Sequence, residues 1–129
     1  MKEAPVVSIV DDDQSVRDGI LDLIIAMGFD AEAFEHPDHF LRSSRVDRTT
    51  CLITDVRMPG MTGLELHERL IASGKQIPTV MITAFPTDAE RVRAMQAGVV
   101  GYLVKPFDES QLIACIMSAL GRDSTGRRS

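Results

Sequence analysis

Residues 50–63, TCLITDVRMPGMTG, decide the fold. The run 51–54 is mostly apolar and suited to a dry interior, and it leads into Asp55 and then into a turn-rich Met-Pro-Gly loop at 58–60. We interpret this pattern as a short buried strand that ends in a carboxylate. Ligands of open α/β folds bind in the crevice at the carboxyl ends of parallel strands, so Asp55 is the first candidate functional residue.

Strand-like and helix-like segments alternate along the rest of the chain. Short apolar runs at 6–10, 29–34, 51–55, 79–84 and 99–104 predict five strands, and apolar residues spaced three or four apart predict helices between and after them. This rhythm indicates a single-domain, doubly wound α/β fold with a five-stranded parallel sheet in the flavodoxin-like order 2-1-3-4-5. We expect the domain to span residues 4–121. Residues 122–129 lack periodicity and should form a disordered tail or the start of a linker.

Three finer expectations concern packing. In the helix predicted at 88–98, Val92 and Met95 should face the core. Leu21 and Ile25 lie on the far side of the first helix, away from the core, and should pack against a neighbouring helix; a docking patch for a partner is the alternative. The polar stretch 42–50 should be a surface connection.

The composition excludes several classes of protein. A chain of 129 residues is the size of one domain with one core. Its formal net charge of −5 argues against direct nucleic-acid binding, which rests on clustered Lys and Arg. The apolar stretch 4–10 is closed by three aspartates and is neither a signal peptide nor a membrane span, so we expect a cytoplasmic protein. Cys51 and Cys115 should be reduced core thiols, and His36 and His39 should belong to a polar loop or a helix start instead of a metal site.

Polar side chains follow four of the five predicted strands. Asp11 and Asp12 come after the first, Asp55 after the third, Thr83 after the fourth and Lys105 after the fifth. Parallel strands end at one edge of a sheet, so these side chains should meet. Each pair of carboxylates about 4 Å apart costs on the order of 4 kcal/mol at an effective dielectric constant of about 20, which calls for Mg²⁺ or Lys105 as a counter-charge. With Thr83 as a hydrogen-bond donor, the arrangement can accept a phosphoryl group on Asp55.

Four motifs in this order resemble the receiver domain of bacterial two-component response regulators. They are VDD at 10–12, DVRMPGMTG at 55–63, TA at 83–84 and GYLVKPF at 101–107. The resemblance covers essentially the whole chain up to Leu120.

The resemblance implies a role for each residue of the acidic site. Asp55 would be the phosphoacceptor, supplied by a phosphohistidine of a sensor histidine kinase. Asp12, Asp55 and the backbone carbonyl of Arg57 would hold Mg²⁺, with Asp11 acting through a bound water. Lys105 would pair with the phosphoryl group or with Asp55.

The resemblance also implies a switch. Thr83 and Ala84 would contact the phosphoryl group, and Thr83 and Tyr102 would move together, the hydroxyl toward the phosphoryl group and the ring inward behind it. Pro106 would follow a cis peptide bond with Lys105.

Two positions depart from the commonest pattern of such domains. Phe85 stands two residues after Thr83, where many receivers carry a polar residue, and the long cationic Arg57 stands two residues after Asp55. Our hypothesis is that Arg57 and Phe85 tune the lifetime of the phosphoryl group, Phe85 by shielding it from water.

The function implied is signalling and not classical catalysis, although the domain would assist its own phosphorylation and dephosphorylation. The fourth helix, fifth strand and fifth helix would form the output surface for an output domain or partner protein, in transcription regulation, with a possible phosphorylation-dependent homodimer. One alternative is a haloacid-dehalogenase-like phosphatase that uses Asp11, because Asp11, Asp13 and Ser15 partly imitate its DxDx[TV] loop. A receiver that works without phosphate is disfavoured, because every chemical residue is present.

Overall fold

The computed structural model describes residues 5–121, which form five strands and the helices between them. The strands are β1 (Val6–Val10), β2 (Asp30–Phe34), β3 (Cys51–Asp55), β4 (Thr79–Thr83) and β5 (Gly101–Val104). All neighbouring strands pair in parallel, in the order β2-β1-β3-β4-β5. The predicted fold class and strand order are confirmed. The predictions for residue 4 and for 122–129 concern positions outside the described residues.

Helices cover both faces of the sheet. They are α1 (Gln14–Ala26), α2 (Pro37–Arg42), α3 (Gly63–Ala72), α4 (Asp88–Gln96) and α5 (Glu109–Ala119). α1 and α5 pack on one face through Ile20, Ile24, Leu112 and Ile116. The other face carries α2, α3 and α4. The inner strands β1, β3 and β4 are therefore buried from both sides, which is why they read as largely apolar runs. The edge strands β2 and β5 are partly exposed.

Local signals set the start and end of α1. The side chain of Asp13 accepts hydrogen bonds from the backbone N–H groups of Ser15 and Val16 and so caps the helix N-terminus. Gly28, with φ of 89°, follows the last turn in the left-handed conformation that favours glycine. One carboxylate oxygen of Asp13 is thus engaged by the start of its own helix.

The prediction for the inward face of α4 is wrong. Val92 is 51% and Met95 50% exposed, whereas Ala94 is fully buried. Successive residues of a helix are about 100° apart, so Val92 lies about 200° around the helix from Ala94. The small Ala94 lets α4 approach the sheet, and the two larger side chains stay in solvent.

The polar stretch 42–50 is more than a surface connection. Residues Ser44–Arg48 form a 3-10 helix, and Val46 within it is buried beneath α2 and α3. The Thr49 hydroxyl is 2.7 Å from the Ser8 hydroxyl inside the protein. Elsewhere, the prediction for the far side of α1 is wrong: Leu21 packs against the core cluster, and Ile25 is 58% exposed.

His67 ties α3 to the elements beside it. The ring is buried, with Nδ1 3.2 Å from the Thr79 hydroxyl on β4 and Nε2 3.0 Å from the Ala97 carbonyl at the end of α4. This contact fixes the end of α4 that lies far from the acidic edge. Among the helices of residues 5–121, none is long and apolar enough to cross a membrane.

Candidate functional site

The carboxyl ends of the strands bring three aspartates together. Asp11 follows β1 directly, Asp12 is its neighbour, and Asp55 is the last residue of β3. One carboxylate oxygen from each lies within 4.8 Å of the others. Asp11 and Asp55 are buried and Asp12 is exposed, so the cluster opens to solvent on one side.

Lys105 reaches across the sheet edge to two of these acids. Its Nζ donates to Asp11 Oδ2 at 3.1 Å and to Asp55 Oδ2 at 3.5 Å. The second oxygen of each acid accepts from the backbone, Asp11 Oδ1 from Asp13 N–H at 2.9 Å and Asp55 Oδ1 from Arg57 N–H at 3.4 Å. Both acids are therefore oriented from two directions.

Burial and neighbouring charges shift the pKa values of the ionisable groups at this site. Burial raises the pKa of Asp11 above its ordinary value, although the Asp13 amide and Lys105 oppose the shift. The pKa of Asp55 is also raised, first by burial and then by the charge of Asp11. Burial would lower the pKa of Lys105, but the contacts with Asp11 and Asp55 outweigh it and raise that pKa. Lys105 is one cation facing the buried carboxylates of Asp11 and Asp55, with Asp12 beside them, so a further cation would reduce the repulsion among the acids.

Oxygen donors of this kind suit Mg²⁺, which binds through one or two carboxylates and keeps several waters. The exposed Asp12 carboxylate and the buried Asp55 carboxylate supply such donors within reach of one ion. The composition and spacing of the donors therefore fit the magnesium ion that the sequence predicts.

An open cavity of about 420 Å³ lies beside the acids. Thr83 at the end of β4 is fully buried, and its hydroxyl accepts a hydrogen bond from the Phe85 N–H at 3.0 Å. The Phe85 ring is 69% exposed at the rim. The cavity is lined by Asp12, Asp13, Asp55, Arg57, Thr83, Ala84, Phe85 and Lys105.

The loop after β3 approaches the backbone of Asp55 closely. Gly63 N–H donates to the Val56 carbonyl at 2.8 Å, and a Cβ on Gly63 would overlap the Asp55 carbonyl oxygen. Only glycine therefore lets α3 start this close to the acid. On the opposite side of the site, the Lys105–Pro106 peptide bond is cis.

A family model described as "Response regulator receiver domain" matches residues 7–117. The chain belongs to this family. The receiver domain is 35% identical to Nodulation protein W of Bradyrhizobium diazoefficiens over 95% of its own length and 54% of the relative. It is 37% identical to Response regulator protein TodT of Pseudomonas putida, over 91% of this chain and 52% of the relative.

Solved structures agree with these relatives. The response regulator StyR is 44% identical with a TM-score of 0.82, over 92% of this chain and 60% of that one. FixJ-N is 31% identical with a TM-score of 0.81, over 92% and 95%. The suspected family is confirmed. The receiver domain spans about half the length of the curated relatives it matches.

Tyr102, one of the two predicted switch residues, contacts a partner that the sequence did not indicate, Glu90. The Tyr102 hydroxyl donates to Glu90 Oε1 at 3.1 Å, and Glu90 Oε2 is 3.5 Å from the Arg57 guanidinium. Burial and the hydrogen bond to Glu90 raise the pKa of Tyr102. Glu90 lies on α4 and its partners on the β3–α3 loop and β5, so only the register of the folded elements reveals the contact.

Proposed function

We propose that Asp55 accepts a phosphoryl group from a phosphohistidine of a sensor histidine kinase. An oxygen of the Asp55 carboxylate would form the new bond to phosphorus while the P–N bond of the donor breaks, and the electron pair stays on the imidazole nitrogen. The observation that carries the proposal is the position of Asp55, held at 3.5 Å by Lys105 and open to a cavity that Thr83 also lines.

Each neighbour of Asp55 has a role in this step. Lys105 would balance charge on the transferred group, and the hydroxyl of Thr83 and the backbone at Ala84 would donate hydrogen bonds to its oxygens. Asp12, Asp55 and the carbonyl of Arg57 would hold Mg²⁺, with Asp11 acting through a water. The bound ion would supply charge neutralisation for the incoming phosphoryl oxygens. Attack by water would later release inorganic phosphate and restore Asp55.

The output is proposed to be a change in the surface formed by α4, β5 and α5. Three apolar side chains of this surface are exposed in the part of the chain that the structure describes: Val92 and Met95 on α4 and Val104 on β5. Movement of Thr83 toward the phosphoryl group and of Tyr102 inward would reshape this surface. Making the active form dominant takes a differential of about 5 kcal/mol, which new charge-assisted hydrogen bonds can supply.

The surface would act on an output domain or a partner protein, including a second copy of this chain. A relative 34% identical over 96% of this chain is named transcriptional regulatory protein FixJ, from Azorhizobium caulinodans. That name supports a role in transcription regulation, exerted through an output domain or a partner protein. The domain itself is proposed to touch neither nucleic acid nor membrane.

The haloacid-dehalogenase-like alternative is less well supported by the local contacts. It needs Asp11 as nucleophile and Asp13 as its partner, but Asp13 caps α1 and Asp11 is fully buried against Lys105. The two functions differ in the residue that carries phosphate. After treatment with a small phosphodonor and Mg²⁺, peptide mapping should find the phosphoryl group on Asp55; label on Asp11 would favour the phosphatase.

A further inference from the structure

The carboxylate of Glu90 contacts two residues: Arg57, which lines the cavity beside Asp55, and Tyr102, the predicted switch tyrosine. Glu90 Oε2 pairs with Arg57 at 3.5 Å and Glu90 Oε1 accepts from the Tyr102 hydroxyl at 3.1 Å. The Glu90 side chain is 18% exposed and that of Arg57 is 52% exposed. The β3–α3 loop, α4 and β5 therefore meet at a single acid.

The helix start holds Glu90 in this position. Glu90 lies in the first turn of α4, and its backbone N–H donates to the side chain of the capping residue Thr87 at 3.1 Å. Arg91, the next residue, places its guanidinium 6.0 Å from the centre of the Tyr102 ring. Tyr102 is thus held from two successive residues of one helix turn, with its hydroxyl directed to Glu90.

Arg57 also lies next to the proposed phosphorylation site. It lines the cavity beside Asp55 together with Thr83 and Lys105. A phosphoryl group on Asp55 would add negative charge there, and a guanidinium binds phosphoryl oxygens in a bidentate manner that a single carboxylate oxygen at 3.5 Å does not match. Arg57 can therefore pair with Glu90 or with the phosphoryl group.

We propose that Glu90 is a positioning residue that holds Tyr102 outward in the unphosphorylated protein, and that phosphorylation releases it by drawing Arg57 away. Loss of Arg57 leaves the Glu90 carboxylate without its cationic partner, so it turns to water and frees the Tyr102 hydroxyl. The inference rests on the proposed function, because it needs a phosphoryl group on Asp55. It adds a route from the phosphoryl group to Tyr102 that runs through an exchange of ion pairs.

The composition provides a direct readout. The chain contains one tyrosine and no tryptophan, so 3-fluorotyrosine gives a single ¹⁹F resonance that reports on Tyr102 alone. Beryllofluoride with Mg²⁺ serves as the phosphoryl mimic. The variants are Glu90→Gln, which keeps the shape and an acceptor for Tyr102 but removes the charge, and Asp88→Asn, which removes a charge from an exposed residue of the same helix turn.

In the metal-free protein, Glu90→Gln should move the Tyr102 resonance part of the way toward its position in the beryllofluoride complex. Beryllofluoride should bind about threefold more tightly, because breaking a partly exposed ion pair no longer opposes activation. Asp88→Asn should change neither quantity. In an Arg57→Gln background, Glu90→Gln should no longer change the affinity.

A Glu90→Gln protein with the parent's resonance and the parent's affinity would overturn the inference while beryllofluoride still bound at Asp55. The inference would also be overturned if Glu90→Gln raised the affinity for beryllofluoride as much in the Arg57→Gln background as in the parent. If beryllofluoride failed to bind the parent chain, both the proposed function and this inference would be overturned.

Discussion

Phe85 lies at the rim of the cavity, and its proposed shielding of the phosphoryl group from water can be tested by kinetics. Its ring is 69% exposed and its N–H holds the Thr83 hydroxyl. If Phe85 keeps water away from phosphorylated Asp55, then Phe85→Glu, which offers a base to the attacking water, should speed phosphate loss by about tenfold or more.

The measurement is the decay of labelled phosphate from the purified protein after the donor is removed. Phe85→Leu is the matched control, since it keeps an apolar side chain and should leave the rate near that of the parent. An unchanged rate in Phe85→Glu would discard the shielding hypothesis.

At the residue scale, the sequence was informative where function coincides with a strand end. Asp11, Asp55, Thr83 and Lys105 could be grouped because parallel strands end at one edge, and the structure does bring them to one edge. Glu90 could not be found this way. It lies on a helix, and its contacts depend on how α4 sits over β5, which no local pattern encodes.

The junction between β3 and α3 controls the position of Asp55 at the element scale. Gly63→Ala would drive a methyl group into the Asp55 carbonyl oxygen, so the loop or the helix must move. We expect the free energy of unfolding to fall by about 1–3 kcal/mol, as for other overpacked sites. Magnesium affinity should fall as well, because the Asp55 carboxylate is displaced.

Urea unfolding followed by circular dichroism measures the first effect, and magnesium titration the second. Gly19→Ala is the control, because a Cβ on Gly19 in α1 would meet no atom within 4 Å. That change should raise stability by about 0.5–1 kcal/mol through lost flexibility of the unfolded chain. A Gly63→Ala protein as stable as the parent would contradict the close-approach argument.

Strands were easier to predict from sequence than helix faces. β1 was placed with its observed bounds because both of its faces are buried and its residues are apolar throughout. For α4 the apolar Val92 and Met95 were read as the inner face, but the helix contacts the sheet through Ala94. In 42–50 a largely polar composition concealed Val46, which lies on the 3-10 helix and is buried in a cluster with Phe40 of α2 and Leu70 of α3.

The crowded acids give the whole molecule a pH dependence when no divalent cation is present. The pKa values of Asp11 and Asp55 lie above their ordinary value of 3.8 in the folded protein. The folded state therefore keeps protons that the unfolded chain has already lost, and stability contributed by these groups falls as pH rises through the raised pKa values. The raised pKa of Lys105 acts in the alkaline range, where stability is lost as pH rises through it.

Urea unfolding in chelator from mildly acidic to neutral pH should thus show a steeper loss of stability in the parent than in Asp55→Asn, which cannot titrate at that position. Adding Mg²⁺ at neutral pH should stabilise the parent, because the ion binds the folded state and not the unfolded chain. If the free energy of unfolding of parent and variant changed with pH in parallel, the raised pKa of Asp55 would not contribute to the pH dependence of stability.

At the scale of the whole molecule, the alternation of strands and helices along the chain predicts both the strand order and the location of the site. Alternating strands and helices leave few right-handed topologies, and the observed order is the expected one. The same pattern does not predict which surface transmits the signal, because core packing does not constrain exposed side chains such as Ile25 and Val104.

Label uptake by the parent and by Asp55→Asn, measured side by side with a small phosphodonor and increasing Mg²⁺, is the most direct test of the central claim that Asp55 is the phosphoacceptor. The account predicts that the parent gains one phosphoryl group with a saturable dependence on Mg²⁺, and that Asp55→Asn, folded by circular dichroism, gains none. Equal uptake by the two proteins, or uptake by the parent that does not respond to Mg²⁺, would contradict it.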